Sequence, residues 1–201
     1  RDLLTAGMQL FTGRVPALVA QSDPALVGAL NAFLKLLIEY LHEIFQTPRE
    51  QDDTVAFQAY LFCFQDLAQT LTSDTCGAKF YRTAYTLLFL VAENVWELLQ
   101  SSAEPFRQFL TLIVRGMSLP DISLVRHVLR ETEQFNTKKQ LFACRQFVAL
   151  HQEFLTAVVP VIFTSMHSTE DYLNVLYIVL NSDVPPLMNT FGTVSVITTH
   201  V

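Results

Sequence analysis

Glu39 and His42 are the residues of this chain best spaced for metal chemistry. They form a Glu-x-x-His pair, and residues three apart on a helix point the same way, as in the di-iron sites of helical bundles. Such a site needs a second Glu-x-x-His, and the sequence has none. Lys35 and Gln46 fall on the same stripe of the helix, opposite its Leu/Phe positions. We therefore expect a solvated helix face here and no metal.

Asp52 and Asp53 are the other candidate metal ligands. Paired aspartates resemble the Asp-rich helix of all-helical isoprenoid synthases, in which carboxylates bind magnesium and a diphosphate. The next position that should supply a carboxylate offers Ala56 and Phe57, and no second Asp-rich segment follows. A helix N-cap, which favours negative charge, explains the pair better.

No other motif indicates catalysis. The histidines never pair at ligand spacing, and the sequence has no Gly-rich phosphate loop, nucleophile elbow or Cys-x-x-Cys. Cys63, Cys76 and Cys144 are widely spaced and odd in number, which favours reduced core thiols in an intracellular protein over disulfides. We therefore expect a protein that is not an enzyme and has no cofactor.

The composition indicates extensive burial. Apolar residues make up 51% and charged residues 16% of the 201 residues, against about 45–50% and 25% in average globular chains. The longest uncharged apolar stretches, 154–166 and 184–201, are interrupted by Pro160 and by Pro185-Pro186. We therefore expect a large buried core and no transmembrane segment.

Helix start and stop signals divide the chain clearly. Ser22-Asp23-Pro24 offers an N-cap followed by proline at the first helical position, and Thr137-x-x-Gln140 has the form of a capping box. Pro160 should bend or break the helix that contains it. The patterns predict helices over 24–46, 54–72, 78–100, 104–114, 121–135, 138–160 and 169–180.

These signals predict an all-α fold of about seven to eight antiparallel helices. Taken as stacked pairs, residues 24–72, 78–115 and 121–160 form units of the length of HEAT or armadillo repeats, that is, an α-solenoid segment. A closed helical bundle is the alternative. We expect one all-helical domain or solenoid fragment over residues 1–190, followed by an extended tail over residues 191–201.

One stretch carries a family resemblance. The sequence Ala78-Lys-Phe-Tyr-Arg-Thr-Ala-Tyr-Thr-Leu-Leu88 is similar to the Phe-Tyr-x-x-Tyr helices in the C-terminal half of exportins, and the paired helices resemble the HEAT repeats of nuclear transport receptors. The resemblance covers residues 24–160. It implies a solenoid that binds cargo and a small GTPase through its surface, and it transfers no individual functional residue.

Charge is distributed unevenly along the chain. Residues 22–104 carry 11 acidic residues against 4 Lys/Arg, a net −7, whereas residues 105–150 carry 7 Lys/Arg against 3 acidic residues, a net +4. Glu131 and Glu133 interrupt the basic segment, which argues against nucleic acid. We expect it to bind an acidic protein surface. Its candidate binding residues are Arg126, Arg130, Lys138, Lys139 and Arg145.

The last residues form a separate feature. Residues 193–201 are rich in Val, Ile and Thr, which favour strands, although one strand cannot form a stable sheet alone. The segment is interpreted in three ways: a strand that adds to a partner, a truncated helix, or a free C-terminus. In the last case Thr199 and Val201 resemble the C-terminal ligands of PDZ domains. A sequence that begins at Arg1 favours an excised fragment. We therefore favour a truncated helix or a strand docked on a partner over a free C-terminus.

Taken together, these features predict a protein–protein interaction module: a helical scaffold or transport-receptor segment of the cytoplasm or nucleus that binds other proteins, such as a small GTPase or a cargo. The alternative is a self-contained bundle that captures a partner helix or carries a small apolar ligand. The oligomeric state is not predicted.

Overall fold

The computed structural model describes residues 2–20, 23–46, 53–72 and 76–164, together with Tyr172 and Tyr177. All regular elements of these residues are helical, which confirms the predicted all-α class. A π-helical segment, Phe62–Leu67, joins α4 to α5, and a 3-10 turn, Leu141–Ala143, precedes α10. The α-helices are α1 (Asp2–Phe11), α2 (Val15–Ala20), α3 (Pro24–Gln46), α4 (Asp53–Leu61), α5 (Ala68–Leu71), α6 (Ala78–Asn94), α7 (Trp96–Ser101), α8 (Ala103–Met117), α9 (Ile122–Lys139) and α10 (Arg145–Thr164).

Two helix starts form where the sequence predicts them. The Asp23 carboxylate accepts the N–H of Ala25 at 2.8 Å, and Pro24 is the first residue of α3. At α9, the Asp121 carboxylate accepts the N–H groups of Ser123 and Leu124. In both cases an aspartate satisfies backbone N–H groups that have no partner within the helix.

The predicted capping box at Thr137 and Gln140 is wrong. Thr137 lies inside α9, where its hydroxyl donates to the carbonyl of Glu133 at 2.9 Å. Gln140 ends the helix in the left-handed conformation, with φ of 52°, and its N–H bonds to the carbonyl of Asn136. The Asn136 side chain then accepts the N–H of Phe142 at 3.0 Å. α9 therefore ends at a left-handed C-cap, Gln140, supported by the side chain of Asn136, one turn later than predicted.

Three other helix boundaries differ from the prediction. The helix expected over 78–100 is interrupted at Val95, whose φ of −105° and ψ of 25° separate α6 from α7. The helix expected over 104–114 continues through Gly116 to Met117. α10 continues through Pro160 to Thr164, so proline costs one backbone hydrogen bond there without ending the helix. Tyr172 and Tyr177 are helical; the rest of the predicted 169–180 helix and the tail lie outside the described residues.

The first twenty residues form two helices that the sequence analysis did not predict. α1 and α2 are joined by a tight turn at Gly13, whose φ is 73°. The N–H of Gly13 donates to the carboxylate of Asp66, a buried residue of the π-helical segment. This hydrogen bond ties the turn between α1 and α2 to the middle of the chain.

Helices that are not consecutive in the chain lie side by side. α6 packs between α3 and α9, and α8 packs between α5 and α10. Three polar contacts join α6 to α9: Arg82 with Ser123, Thr86 with His127, and Glu93 with Lys138. The residue numbers rise together along both helices. α6 and α9 therefore run in the same direction, and the intervening α8 packs on α9.

An aromatic cluster fills the centre of the core. The ring of Phe109 lies 6.1 Å from Phe64, 5.7 Å from Phe89 and 5.3 Å from Phe135, measured between centroids. Trp96 continues the cluster at 5.3 Å from Phe135. These rings come from the π-helical segment and from α6, α7, α8 and α9, so one cluster holds the middle of the fold together.

α3 is, among the helices of the described residues, the one that is long and apolar enough to cross a membrane. Its best 18-residue window has a mean hydropathy of 1.4, and 22% of that window is buried. In the sequence, α3 is not an uncharged apolar stretch, because it contains Lys35, Glu39 and Glu43. Core helices and signal sequences share this length and composition, so the feature alone does not assign α3 to a membrane.

Candidate protein-interaction surface

The exposed edge between α6 and α9 carries a row of polar contacts. The guanidinium of Arg82 donates to the backbone carbonyl of Ser123 at 3.1 Å and to its hydroxyl at 3.2 Å. Near the other end of α6, the Lys138 ammonium lies 2.9 Å from the Glu93 carboxylate. These contacts fix how α6 and α9 present their remaining charges to solvent.

Arg126 and Arg130, both predicted binding residues, lie one turn apart on the exposed side of α9. Arg82 of α6 contacts Ser123, one turn before Arg126 and His127, and it is also exposed. We refer to Arg82, Arg126 and Arg130 as the arginine face. The sequence analysis missed Arg82, because only the packing of α6 on α9 brings it to residues 41 positions later in the chain.

The other predicted basic residues are not part of the arginine face. Lys138 is exposed but already paired with Glu93. Lys139 is nine residues from Arg130, which at about 100° per residue places it on the opposite side of the helix. Arg145 is exposed at the start of α10, beyond the 3-10 turn. Thr199 and Val201 lie outside the described residues.

His127 lies between the helices beneath this surface. Its Nε2 is 3.0 Å from the hydroxyl of Thr86, and that hydroxyl donates its own proton to the carbonyl of Arg82. We therefore assign the imidazole proton to Nε2, which leaves Nδ1 unprotonated at 3.8 Å from Glu131. Burial, followed by the positive charges of Arg82 and Arg130, lowers the pKa of His127 below its usual value. The imidazole is therefore neutral at pH 7, and its contact with Glu131 is not an ion pair.

Acidification is expected to destabilise the fold through His127. A histidine whose pKa is lower in the folded state contributes stability that is present above its unfolded pKa of about 6.5 and is lost as pH falls through the folded value. Urea unfolding at pH 7.5 and 5.5 should show a larger loss for the wild-type chain than for His127→Gln. The glutamine can keep the bond to Thr86 but cannot titrate.

An equal loss in both proteins would show that another group causes it. Glu131 also titrates differently in the folded chain, since burial raises its pKa. Its protonation favours the folded state and so acts in the opposite direction. The difference between wild type and His127→Gln isolates the histidine from this effect.

A groove lies on the other side of α6, between the start of α4 and the junction of α6 with α7. It encloses about 620 Å³. Phe57 and Leu98 line it and remain 49% and 38% exposed. The other lining residues are Thr54, Ala56, Asn94, Val95 and Glu97. A second groove between α8 and α10 is much smaller, at about 40 Å³. Arg107 and Glu153 both line it, and the Nε–H of Arg107 donates to both carboxylate oxygens of Glu153.

The residues considered for chemistry are placed apart from one another. Glu39 and His42 are exposed on α3, as expected for a solvated face. Asp53 begins α4, while Asp52 lies outside the described residues. In the part of the chain that the structure describes, no three His, Cys, Asp or Glu side chains come together as metal ligands.

All three cysteines are free thiols, and Cys63 is completely buried, which raises its pKa. Cys144 is half-buried, and burial likewise raises its pKa, against the opposing effect of N–H groups at the start of α10. Thiols with raised pKa values are poor nucleophiles at neutral pH. Cys63 and Cys144 therefore do not have the environment of a reactive cysteine.

No family model, curated protein or solved structure matches this chain. The functional argument therefore depends on the chain's own residues and contacts.

Proposed function

We propose that this chain is a protein–protein interaction module without an active site, built from stacked helix pairs. The observation that carries the proposal is a recurring separation between contacting residues. Arg82 with Ser123, Thr86 with His127 and Glu93 with Lys138 are 41 to 45 residues apart. Gln108 with Phe64, Gln100 with Gln146, and Arg107 with Glu153 are 44 to 46 apart.

A constant separation of this kind is what stacking predicts. Each helix of one pair meets the equivalent helix of the next pair, one repeat length further along the chain. In a closed up-and-down bundle, by contrast, adjacent helices are mostly consecutive and antiparallel. The separation supports the interpretation of 24–72, 78–115 and 121–160 as units, and it was not visible in the sequence because the units share no residue pattern.

Stacked pairs are expected to open separately. Each pair contacts only its neighbours, so native-state hydrogen exchange in low urea should resolve different opening free energies for the amides of α3 and α4 and for those of α9 and α10. Amides of α6 and α8, which have a neighbour on both sides, should be the most protected. If all buried amides converged on one opening free energy, the closed bundle would replace the stack.

The arginine face gives the module its proposed partner class, an acidic protein surface. Exposed charges of one sign act mainly by steering association. If the exportin-like helix Ala78–Leu88 reflects its family, the partners are a cargo or a small GTPase and the module acts in the cytoplasm or nucleus. In this chain Phe80, Tyr81 and Tyr85 of that helix are buried, so they support the solenoid core and leave binding to other residues.

Reversing the charge of the arginine face is expected to weaken binding to an acidic probe by about tenfold or more at low salt. The double variant Arg126→Glu/Arg130→Glu would be compared with wild type by fluorescence anisotropy, using a labelled polyglutamate peptide. Both side chains are exposed, so folding should be unaffected.

The matched control is Arg14→Glu/Lys35→Glu. It makes the same change in net charge at exposed positions of the N-terminal part. If the two double variants weakened binding equally, overall charge and not the arginine face would explain the effect.

A further inference from the structure

We propose that the groove between α4 and the α6–α7 junction binds an amphipathic helix of a partner protein, with two apolar side chains one turn apart and a Lys or Arg beside them. This inference rests on the proposed function, because it specifies one partner class for the interaction module. The groove uses none of the residues of the arginine face.

The groove has an exposed apolar side chain on each of its two walls. Phe57 is 49% exposed on the α4 wall, and Leu98 is 38% exposed on the α7 wall. Val95, which is buried, and Ala56, which is partly buried, also line the groove. Two bulky apolar groups facing one groove are what apolar anchor residues of a bound helix require.

The groove lies beside the interruption at Val95, which is one of its lining residues. α6 ends at Asn94 and α7 starts at Trp96; Trp96 and Leu99 are buried, whereas Leu98 is exposed. The sequence pattern of a single helix over 78–100 does not indicate a groove, because it does not show that Leu98 and Phe57 remain open together.

Phe57 is held in place before any partner binds. Its ring stacks on Tyr60, with centroids 6.1 Å apart and ring planes at 26°, and Tyr60 stacks on the buried Phe64 at 5.1 Å and 28°. A side chain that is already ordered loses little conformational entropy on binding. The stack therefore presents the exposed Phe57 ring as a fixed contact surface.

Charge decides which amphipathic helix fits. Among the described residues that line the groove, Glu97 is the one with a charge, and it is exposed. Within the described part of the chain it forms no ion pair. Residues 22–104, which contain both walls, carry a net −7 from 11 acidic and 4 basic residues. A basic residue beside the apolar anchors is therefore favoured over an acidic one.

The test uses two synthetic helical peptides that differ only in charge. Both carry leucines at four-residue spacing; one has lysines at the neighbouring positions and the other glutamates. By fluorescence anisotropy, the wild-type chain should bind the lysine peptide at least about tenfold more tightly. Phe57→Ala/Leu98→Ala should lose about tenfold or more of that affinity. Glu97→Lys should reverse the preference between the peptides.

Leu36→Ala on α3 is the matched control, since Leu36 is also an exposed leucine, at 58%, but lies outside the groove. The Leu36→Ala variant should bind the lysine peptide as tightly as the wild-type chain does. Circular dichroism should show all variants folded, because the replaced side chains are exposed.

Three results would overturn the proposal. The first is equal binding of both peptides, or of neither; the second is an equal loss for Leu36→Ala. The third is a chain that self-associates in light scattering and becomes monomeric in Phe57→Ala/Leu98→Ala, because the occupant is then a second copy. If groove binding fails while Arg126→Glu/Arg130→Glu still weakens acidic-probe binding, the proposed function survives without this site.

Discussion

Replacing Phe109 by alanine is expected to lower the free energy of unfolding by about 3–5 kcal/mol. Phe109 is fully buried on α8, and its ring contacts Phe64, Phe89 and Phe135 on three other elements. Truncation removes the buried ring and leaves a cavity that rigid neighbouring helices cannot fill. Urea denaturation followed by circular dichroism measures the change.

Phe57→Ala is the matched control for this prediction. It removes the same side chain from a position that is 49% exposed, where the cost should be about 1 kcal/mol or less. A similar loss in both variants would mean that the two rings are equally buried in solution. A loss below about 1 kcal/mol in Phe109→Ala would show that the aromatic cluster does not hold the middle of the fold together.

Features that depend on neighbouring residues were predictable from the sequence. Asp23 and Asp121 bond N–H groups two or three residues ahead of them, so the helix starts follow from local chemistry. The all-α class was predictable for a similar reason, because apolar spacing along each helix reports which side is buried.

Features that depend on tertiary packing were not predictable. Val95 interrupts an apolar pattern that is continuous in the sequence, and Trp96, which follows it, packs against Phe135 of α9 with ring centroids 5.3 Å apart. A Thr-x-x-Gln spacing such as Thr137-x-x-Gln140 can occur inside a helix as well as at its start, so the spacing alone does not identify a capping box. The outcome is set by Gln140 in the left-handed conformation and by Asn136.

The candidate binding residues show the same division. Arg126 and Arg130 share a helix face because they are four residues apart, a spacing that the sequence alone shows. Arg82 joins them only through the packing of α6 on α9. Lys139 is not part of the arginine face, because helical rotation places it on the opposite side of α9 from Arg130. The exposure of Phe57 has no signal in the sequence, since an apolar residue in an apolar helix does not show which side remains open; the structure leaves it 49% exposed.

Gly116→Ala is expected to destabilise the fold by about 1–3 kcal/mol, although alanine is the better helix former. A Cβ at Gly116 would lie 2.8 Å from the Tyr85 ring, 2.9 Å from its hydroxyl and 2.9 Å from a methyl group of Val128. Neither neighbour can move easily. The Tyr85 hydroxyl donates to the carbonyl of Leu112 at 2.9 Å, and the side chains of Tyr85 and Val128 are fully buried. Val128 is β-branched, so its rotamer in α9 is restricted.

The same substitution at Gly28 should have the opposite sign. Gly28 lies within α3, and a Cβ there would meet nothing within 4 Å. Gly28→Ala should therefore stabilise the fold by about 0.5–1 kcal/mol through helix propensity alone. Thermal unfolding of both variants separates the two effects, because they differ only in what the new methyl group contacts. If Gly116→Ala raised the melting temperature as Gly28→Ala does, α8 would not lie as close to α6 and α9 as the structure places it. The close packing of α8 on α6 and α9, on which the proposed stacked arrangement depends, would then be wrong.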